Sequence, residues 1–396
     1  MTNKALIEHH DDYVMGTYGR FPLALSHGRG ATLYDFDGRA YVDFASGIGV
    51  NAIGHGNETW VRAIADQAKK LAHVSNLYYT QPAAQVAETL CRRTGFSKAF
   101  FANSGAESNE GLIKLARKYS HDKYGQGRSA IVTLVNSFHG RTISTLAATG
   151  QNAFHNYFFP FTPGFRHALA GDMESVKAAA GGDTCAILLE LVQGEGGVKP
   201  LEKDFVRQVA DFAKARDILL LIDEVQTGIG RCGSLFAFQQ YDIFPDAISF
   251  AKGIAGGLPF GGFLTTEACS HILGPGTHAT TYGANPIAAA GAQVVLDTLT
   301  EEVLAAVTEK GRYIQEGIAA MGSPHVADIR GLGLMIGITL DGVGHREMAA
   351  RLLDEGLLAL TAGADTLRLL PPLTITCEEI KQGLAILQSV LGGLEK

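Results

Sequence analysis

The sequence predicts an α/β protein with a large central domain on a mainly parallel β-sheet and a smaller α+β domain formed by both ends of the chain. Through the middle of the chain, short and continuously apolar runs alternate with longer amphipathic patterns, as is typical of buried parallel strands covered by helices. Of the 396 residues, 46% are hydrophobic and only 18% are charged, which is sufficient for more than one core. The predicted divisions are residues 1–55 and 296–396 for the smaller domain and 56–295 for the larger one.

The central domain is predicted from elements that follow one another along the chain. Its strands are expected at residues 99–102, 130–135, 186–192, 218–222 and 247–250, and its helices at residues 107–119, 203–216 and 286–299. Because ligands of parallel sheets bind beyond the carboxyl ends of the strands, the polar residues that directly follow these strands are the candidates for function.

The two ends of the chain have a different pattern. Residues 31–44 predict a β-hairpin that turns at Asp37-Gly38, a strong short hairpin signal. Beyond residue 300 the pattern predicts a helical stretch, a strand at 333–340, a helix at 347–355, a strand near 367–370 and a last helix that begins at Cys377.

Charge and composition exclude several classes of function. The formal net charge is −7, and no run of Lys and Arg suits a phosphate backbone or a membrane surface, so we expect no nucleic-acid partner. No apolar run is long enough to span a membrane, and residues 1–12 lack the apolar core of a signal peptide. The five cysteines are widely spaced, as in a reducing compartment, so we expect a cytoplasmic protein.

The first candidate segment is Asn103-Ser104-Gly105-Ala106-Glu107, between a predicted strand and a predicted helix. A helix N-terminus offers unpaired N–H groups and the positive end of the helix dipole, which together bind a phosphate dianion. A simple helix cap is the alternative, with Ser104 and Glu107 forming a capping box.

The second candidate segment is Phe138-His139-Gly140-Arg141, just past the strand that ends near Val135. An aromatic face can cover a planar ring, and the arginine fork matches a carboxylate. An exposed loop with a surface arginine is the alternative.

The third candidate segment is Asp223-Glu224-Val225-Gln226, directly after the apolar run ILLLI. An aspartate at the mouth of a sheet can hold a pyridine nitrogen protonated, which makes the ring an electron sink. An aspartate that only caps a turn is the alternative.

The fourth candidate segment is Ser249-Phe250-Ala251-Lys252-Gly253, between an apolar strand and a glycine-rich loop. Burial at this position would lower the pKa of the Lys252 amine and leave it nucleophilic. An ordinary solvated surface lysine is the alternative.

Together and in this order, the four segments supply what a phosphorylated pyridine aldehyde requires. The chain resembles the class III (ω-amino acid) aminotransferases, which are pyridoxal-phosphate enzymes of fold type I. The resemblance extends from Thr17-Tyr18 to the last helix and is most specific in LLLIDEVQTGIGR and SFAKGIAGGLPFGG. It implies a seven-stranded, mainly parallel sheet in the large domain, and pyridoxal 5′-phosphate as the cofactor.

The resemblance implies a role for each residue around the cofactor ring. Lys252 is expected to carry the cofactor as a Schiff base and then to move a proton between substrate and cofactor. Asp223 is expected to pair with the ring nitrogen and Gln226 to contact the ring hydroxyl. Phe138 and Val225 are expected to cover the two faces of the ring.

The resemblance also implies how the phosphate is held. Ser104, Gly105 and Ala106 are expected to bind it, and Glu224 is counted among the cofactor-binding residues. Thr281 is expected to reach the phosphate of a neighbouring subunit, which implies an obligate homodimer with shared active sites.

The segments MGTYGRFPLAL, GIGVNAIGH, HVSNLYYTQP and FFANSGAESNEGLIKLAR narrow the implied activity to transfer of the terminal amine of N-acetylornithine to 2-oxoglutarate in arginine biosynthesis. Arg141 is expected to bind the distant carboxylate of both substrates, with Thr280 also in the substrate site. Arg368 is expected to bind the α-carboxylate of glutamate, and Glu195 to neutralise Arg368 while acetylornithine is bound.

Several alternatives stay open at this point. Succinylornithine, ornithine, 4-aminobutyrate and acyl-lysine are other ω-amine donors for the same chemistry, and related aminomutases use the same cofactor. The dinucleotide pattern G-x-G-x-x-G at residues 228–233 is set apart from its strand and gives no role to Lys252. We expect no metal, because His9-His10-Asp11-Asp12 has the pattern of a solvated terminus.

Overall fold

The computed structural model describes residues 2–394. The strands are β1 (Leu25–Arg29), β2 (Thr32–Asp35), β3 (Ala40–Asp43), β4 (Lys98–Ala102), β5 (Ala130–Leu134), β6 (Phe165–Ala168), β7 (Thr184–Leu189), β8 (Val192–Gln193), β9 (Lys199–Pro200), β10 (Leu219–Asp223), β11 (Ala247–Phe250), β12 (Gly261–Thr265), β13 (Val326–Leu332), β14 (Met335–Leu340), β15 (Leu357–Leu358), β16 (Leu360–Ala362) and β17 (Thr366–Leu369).

The helices are α1 (Asn3–Tyr13), α2 (Ser46–Gly49), α3 (Glu58–Lys70), α4 (Gln81–Thr94), α5 (Gly105–Tyr124), α6 (Ile143–Ala148), α7 (Met173–Ala179), α8 (Lys203–Ala215), α9 (Pro286–Thr298), α10 (Glu301–Ala320), α11 (His345–Asp354) and α12 (Cys377–Gly392). One of them, α2, is a single left-handed turn, with φ of 63° at Gly47 and 65° at Ile48.

The large sheet has seven strands in the order β4-β12-β11-β10-β7-β5-β6. All are parallel except β12, which runs antiparallel to both of its neighbours. The predicted seven-stranded, mainly parallel sheet is therefore confirmed. Its central strands β5, β7, β10 and β11 are buried along their whole length, which explains why they are continuously apolar in the sequence.

Helices cover the sheet through apolar stripes. On α8, Phe205, Val206, Val209 and Ala213 are buried at helical spacing. Across the whole of α5, eight residues are buried, including Leu112, Leu115 and Ala116. Because α5 packs against the sheet through these residues, its N-terminus has a defined position beside the carboxyl end of β4.

Residues 2–394 also form three smaller sheets. The predicted hairpin is confirmed as β2 and β3, although four loop residues separate the strands rather than a two-residue turn. Asp35 organises this loop, because its Oδ1 accepts hydrogen bonds from the backbone N–H groups of Asp37 and Arg39. Along its other edge, β3 pairs in parallel with β15, so strands from both ends of the chain share one sheet. The boundaries at residues 55 and 295 stay a prediction.

Several elements were not predicted. Strand β12 falls within the glycine-rich segment after Lys252, and strand β6 and the helices α3, α4 and α7 had no assignment. The apolar run at residues 186–192 is not one strand, because β7 ends at Leu189 and the short β8 begins at Val192.

Two features are absent from residues 2–394. Within that range no helix is both long and apolar enough to cross a lipid bilayer. Within the same range no cluster of three or more His, Cys, Asp or Glu side chains is arranged to hold a metal ion.

Candidate active site

A cavity of about 430 Å³ opens beyond the carboxyl ends of β4, β5, β7, β10 and β11. Ligands of parallel sheets bind at this edge, because the strand ends and the helix N-termini converge there. The structure brings nine of the predicted site residues to its wall: Ser104, Gly105, Ala106, Phe138, Arg141, Asp223, Val225, Gln226 and Lys252.

The N-terminus of α5 forms one wall of the cavity. Ser104 is the N-cap residue, and its side chain accepts a hydrogen bond from the backbone N–H of Glu107 at 3.2 Å. The carboxylate of Glu107 reaches back to the backbone N–H of Asn103 at 2.8 Å. The cap is thus real, and it leaves the first N–H groups of the helix without intrahelical acceptors on the cavity side. Capping and anion binding are compatible here.

Gly105 is required by a close approach between α5 and the loop after β10. A β-carbon at this position would lie 2.6 Å from Cγ1 of Val225. Val225 lines the cavity as well. Gly105, predicted to bind the phosphate, and Val225, predicted to cover the ring, are therefore packed against each other.

Asp223 is the most highly coordinated side chain of the site. Its Oδ2 accepts a hydrogen bond from Asn109 Nδ2 at 2.7 Å and lies 2.8 Å from His139 Nδ1. Its Oδ1 accepts from the backbone N–H of Val225 at 3.0 Å. Asp223, Asn109 and His139 are all buried, and a carboxylate with this many donors is fixed in position and orientation.

His139 and Asn109, which hold Asp223, had no predicted role. His139 lies within the Phe138-His139-Gly140-Arg141 motif, but only the aromatic ring and the arginine of that motif were assigned a function. Asn109 was treated as part of a helix. A polar residue one turn into the helix that follows the phosphate turn was the available signal, but its partner is 114 positions away in the sequence.

Lys252 lies two residues beyond the end of β11 and adopts a left-handed backbone conformation, with φ of 48°. Such conformations are uncommon for residues other than glycine and cluster at functional sites. Burial lowers the pKa of the Lys252 amine from its usual value; Glu195 opposes this shift and Arg368 adds to it. An amine with a lowered pKa is nucleophilic closer to neutral pH.

Phe138 and Arg141 lie on the loop after β5. The ring of Phe138 packs edge-on against Phe154, with 5.9 Å between the ring centroids. The guanidinium of Arg141 lies 4.0 Å from the centroid of the Phe154 ring, and the side chain is exposed at the cavity wall. Arg141 is therefore stacked on an aromatic ring with its donors free to meet an anion.

Arg368 on β17 is buried and carries an ion pair. Its Nη1 lies 2.7 Å from Oε1 of Glu195 and donates a hydrogen bond to Oε1 of Gln226 at 3.0 Å. Only 3% of the Arg368 side chain is exposed, against 28% for Glu195. Through Gln226, this ion pair joins the cavity wall.

Glu190, at the end of β7, also lines the cavity and had no predicted role. Burial raises the pKa of its carboxyl to about 7, an effect that His139 opposes. Its two oxygens accept hydrogen bonds from the backbone N–H groups of Phe138 at 2.8 Å and Gly194 at 3.3 Å.

Five predicted residues lie outside the cavity wall: Glu195 and Arg368, described above, and Glu224, Thr280 and Thr281. The assignment of Glu224 to the cofactor is corrected: its buried carboxylate accepts hydrogen bonds from the backbone N–H groups of Ala237 and Phe238 and from the hydroxyl of Thr227. Thr280 accepts a hydrogen bond from Asn103 Nδ2 at 3.2 Å, and Thr281 is exposed on the surface of the single chain.

The sequence and the fold both match known proteins. The family described as aminotransferase class-III matches residues 13–391. A relative from Haemophilus ducreyi, named acetylornithine aminotransferase, is 50% identical over 393 residues, which are 99% of each chain. The chain belongs to the class-III aminotransferases.

Solved structures of other aminotransferases have a similar fold. The ornithine aminotransferase from Toxoplasma gondii gives a TM-score of 0.94 at 26% identity, over 98% of this chain and 94% of that one. The N-acetylornithine aminotransferase from Stenotrophomonas maltophilia gives 0.84 at 34% identity, over 98% of both chains. A second relative, the acetylornithine aminotransferase of Caldanaerobacter subterraneus, is 42% identical over 98% of this chain and 99% of its own.

Class-III aminotransferases depend on pyridoxal 5′-phosphate, and this cavity fits that group. It combines free helix N–H groups for a phosphate, a buried carboxylate for a protonated ring nitrogen, and an amine with a lowered pKa for an aldehyde. The protein is a pyridoxal-phosphate-dependent transaminase that takes an amino donor and a keto acid.

Proposed function

We propose that the protein transfers the terminal amine of N2-acetyl-L-ornithine to 2-oxoglutarate, giving N-acetylglutamate 5-semialdehyde and L-glutamate in arginine biosynthesis. The names of the relatives and the identity of up to 50% over the full length support this substrate. The observation that carries the proposal is the pair of arginines at the cavity, one exposed and one already neutralised by a glutamate.

The two arginines solve a recognition problem. Acetylornithine presents an amine far from its carboxylate, whereas glutamate presents an amine beside one carboxylate and far from another. Arg141 binds the distant carboxylate in both cases. Arg368 binds the α-carboxylate of glutamate. When acetylornithine is bound, Arg368 pairs with Glu195 instead. Without this partner, a buried guanidinium would cost several kcal/mol.

The residues of the chain would hold the cofactor at defined atoms. When bound, pyridoxal phosphate supplies a protonated ring that withdraws electrons from the reacting carbon of the substrate. The N–H groups of Gly105 and Ala106 would bind its phosphate, and Asp223 would keep the ring nitrogen protonated. Phe138 and Val225 would cover the ring.

Lys252 moves the proton. With pyridoxal phosphate bound, Nζ of Lys252 would act as a base near neutral pH, because its pKa is lowered. It would carry a proton between the substrate carbon that bears the donor amine and the cofactor. In the second half of the reaction the same Nζ would carry a proton in the opposite direction.

A homodimer with shared sites is part of the proposal. Thr281 lies on the surface of the single chain, next to the exposed Tyr282. The neighbouring segment carries the exposed residues Leu77, Tyr78 and Tyr79, and Asn76 ties it to this turn through hydrogen bonds to the carbonyl groups of Thr280 and Gly283. If a second subunit covers this apolar surface, Thr281 of the first subunit would contact the cofactor phosphate bound in the second subunit.

Half-reaction rates with a panel of donors test the substrate. The panel contains N-acetylornithine, N-succinylornithine, free ornithine, 4-aminobutyrate and N-acetyllysine, each mixed with the yellow holoenzyme in a stopped-flow instrument. We expect the highest kcat/KM for N-acetylornithine. A higher value for another donor would replace acetylornithine, and turnover without 2-oxoglutarate would indicate an aminomutase.

Substitution of the arginines tests how the site distinguishes its two substrates. Arg141→Ala should impair both half-reactions, whereas Arg368→Ala should spare the acetylornithine half and impair the glutamate half. Removing one partner of a desolvated ion pair costs about 3–5 kcal/mol, and about 1.4 kcal/mol is tenfold in rate. The discrimination should therefore be about a hundredfold or more.

Glu195→Ala serves as the reciprocal variant, because it leaves Arg368 unpaired and should shift preference toward α-amino substrates. Equal losses in both halves for Arg368→Ala would mean that Arg368 is structural and that this chain has no such gate.

A further inference from the structure

Glu190 holds two separate parts of the site at once. One carboxylate oxygen accepts from the backbone N–H of Phe138, whose ring lines the cavity. The other accepts from the backbone N–H of Gly194. Gly194 begins the turn Gly194-Glu195-Gly196-Gly197, here named the gate loop, which carries the partner of Arg368. A single side chain therefore connects the loop after β5 to the gate loop.

The gate loop has little freedom at the point that Glu190 holds. A β-carbon on Gly194 would lie 2.2 Å from Nε2 of Gln226, the residue that also contacts Arg368. On its far side, the loop is held by the backbone N–H of Gly363, which donates to the carbonyl of Glu195 at 2.8 Å, and by Arg330, which donates to the carbonyl of Gly197. On the cavity side the loop is held by the hydrogen bond of Gly194 to Glu190 and by the ion pair of Glu195 with Arg368.

We propose that Glu190 is a positioning residue that fixes the gate loop relative to Phe138. By doing so it helps to determine which substrate carboxylate the site accepts. This inference rests on the proposed function, because it assigns Glu195 the role of gate. It predicts that weakening Glu190 releases the gate loop from the cavity side and leaves Arg368 less well neutralised.

The position requires a carboxylate rather than an amide. Two backbone N–H groups point at Glu190, and a carboxylate presents an acceptor oxygen to each. Glutamine has one acceptor oxygen, so its NH₂ group would face a donor. Glu190→Gln should therefore keep the shape of the side chain and lose one of the two hydrogen bonds.

Glu224 provides a matched control in the same chain. It is also a buried glutamate that follows a strand of the large sheet, and it also accepts from two backbone N–H groups, those of Ala237 and Phe238. These begin a short 3₁₀ helix, Ala237–Gln240, that lies outside the cavity wall. Glu224→Gln should loosen that helix and leave the gate loop as it is.

Amide hydrogen exchange of the holoenzyme and of the cofactor-free protein, followed by mass spectrometry, tests the anchoring without use of a substrate. In Glu190→Gln, peptides that cover residues 193–198 should exchange about tenfold faster, which corresponds to about 1.4 kcal/mol. In Glu224→Gln the faster peptides should be those around residues 236–239. Unchanged exchange at 193–198 in Glu190→Gln would overturn the inference.

Half-reaction kinetics then test the consequence for specificity. Glu190→Gln should raise KM for the best donor of the panel and shift the ratio of donor to glutamate kcat/KM by about tenfold toward glutamate. Glu224→Gln should leave this ratio unchanged. An unchanged ratio in Glu190→Gln would reduce Glu190 to a structural residue and overturn its role in specificity. If no ω-amine donor reacts, the proposed function fails, while the exchange experiment still decides the anchoring.

The wild type offers a measurement if the variant does not fold. With fragmentation that resolves single amides, the N–H of Gly194 should exchange more slowly than that of the next residue, Glu195. Equal exchange at both amides would contradict an anchor at Gly194.

Discussion

Within residues 2–394, two lysines have a pKa that burial lowers, and they differ in their surroundings. Lys252 lines the cavity, whereas Nζ of Lys310 donates a hydrogen bond to the carbonyl of Leu373 at 3.2 Å. We expect Lys252→Ala to abolish transamination, because no other amine of the cavity wall can hold the cofactor. Borohydride reduction and peptide mapping of the wild type should find the cofactor on Lys252.

Lys310→Ala is the matched control for this experiment. It removes a second partly buried amine at a distance from the cavity and should remain active. Cofactor label on a lysine other than Lys252 would refute the assignment.

Asp223 owes its position to Asn109 and His139, which hold its Oδ2 from two sides. Asp223→Asn should retain some cofactor, since the phosphate and lysine contacts persist, but lose turnover by at least about a hundredfold. Loss of one preorganised charge-stabilising group typically costs this much. Cofactor absorbance and single-turnover rates give the two readouts. Near-normal turnover would contradict the role of Asp223.

The sequence predicted the site residues that directly follow strands, because strand ends converge at one edge whatever the details of packing. It failed where side-chain direction decides. Successive side chains of an extended strand point to opposite sides, so once Asp223 faces the cavity, Glu224 faces away. That alternation was available in the sequence. The contact of Asn109 with Asp223 was not, because only the packing of α5 against β10 creates it.

At the scale of elements, the N-terminus of α5 combines two functions that can be separated by experiment. Ser104→Ala removes a cap, which costs about 0.5–2 kcal/mol, and it also alters the turn that would bind phosphate. We expect it to lower both the unfolding free energy and the affinity for pyridoxal phosphate. Denaturant unfolding and cofactor titration measure the two quantities.

Thr376→Ala supplies the comparison at another helix. Thr376 caps α12 in the same way, with Glu379 completing the capping box, far along the chain from the phosphate turn. It should lower stability by a similar amount and leave cofactor affinity unchanged. If both variants bind the cofactor normally, the N-terminus of α5 has only a structural role.

Burial of both faces made several strands predictable, because it leaves a continuous apolar run in the sequence. The apolar run of β11 was predicted with its observed bounds, and β5 and β10 were within one residue at each end. Strand β12 was missed because its sequence, GGFLT, begins with two glycines that continue the preceding loop. Gly262 is required there, since a β-carbon would lie 2.1 Å from the carbonyl oxygen of Phe100 on the paired strand. A glycine that the close packing of two strands requires therefore looks like a loop residue in the sequence.

At the scale of the whole molecule, two buried glutamates link stability to pH. Burial raises the pKa of Glu190 and of Glu224 from 4.5 to about 7. A carboxyl with a raised folded-state pKa binds its proton more tightly in the folded protein. Its contribution to stability is fully present below the unfolded-state pKa and is lost as the pH rises from about 4.5 to about 7.

The unfolding free energy at fixed protein and cofactor concentration should therefore contain a decline over this window. Each group contributes on the order of 3 kcal/mol, since one pKa unit corresponds to about 1.4 kcal/mol. Glu224→Gln cannot titrate at this position and should show a shallower decline than the wild type. Parallel curves for the two proteins would contradict the raised pKa of Glu224.

The sheet shared by β3 and β15 links the order of synthesis to the order of folding. Strands β1 to β3 leave the ribosome early, but the partner of β3 follows roughly 300 residues later, which is about 15–60 s at typical rates of translation. Throughout that time the nascent chain has an open strand edge with unpaired N–H and C=O groups. The strand is only four residues long and ends in the acidic Asp43, so it is a poor template for a second nascent chain. The edge of β3 can therefore stay unpaired until β15 of the same chain completes the sheet.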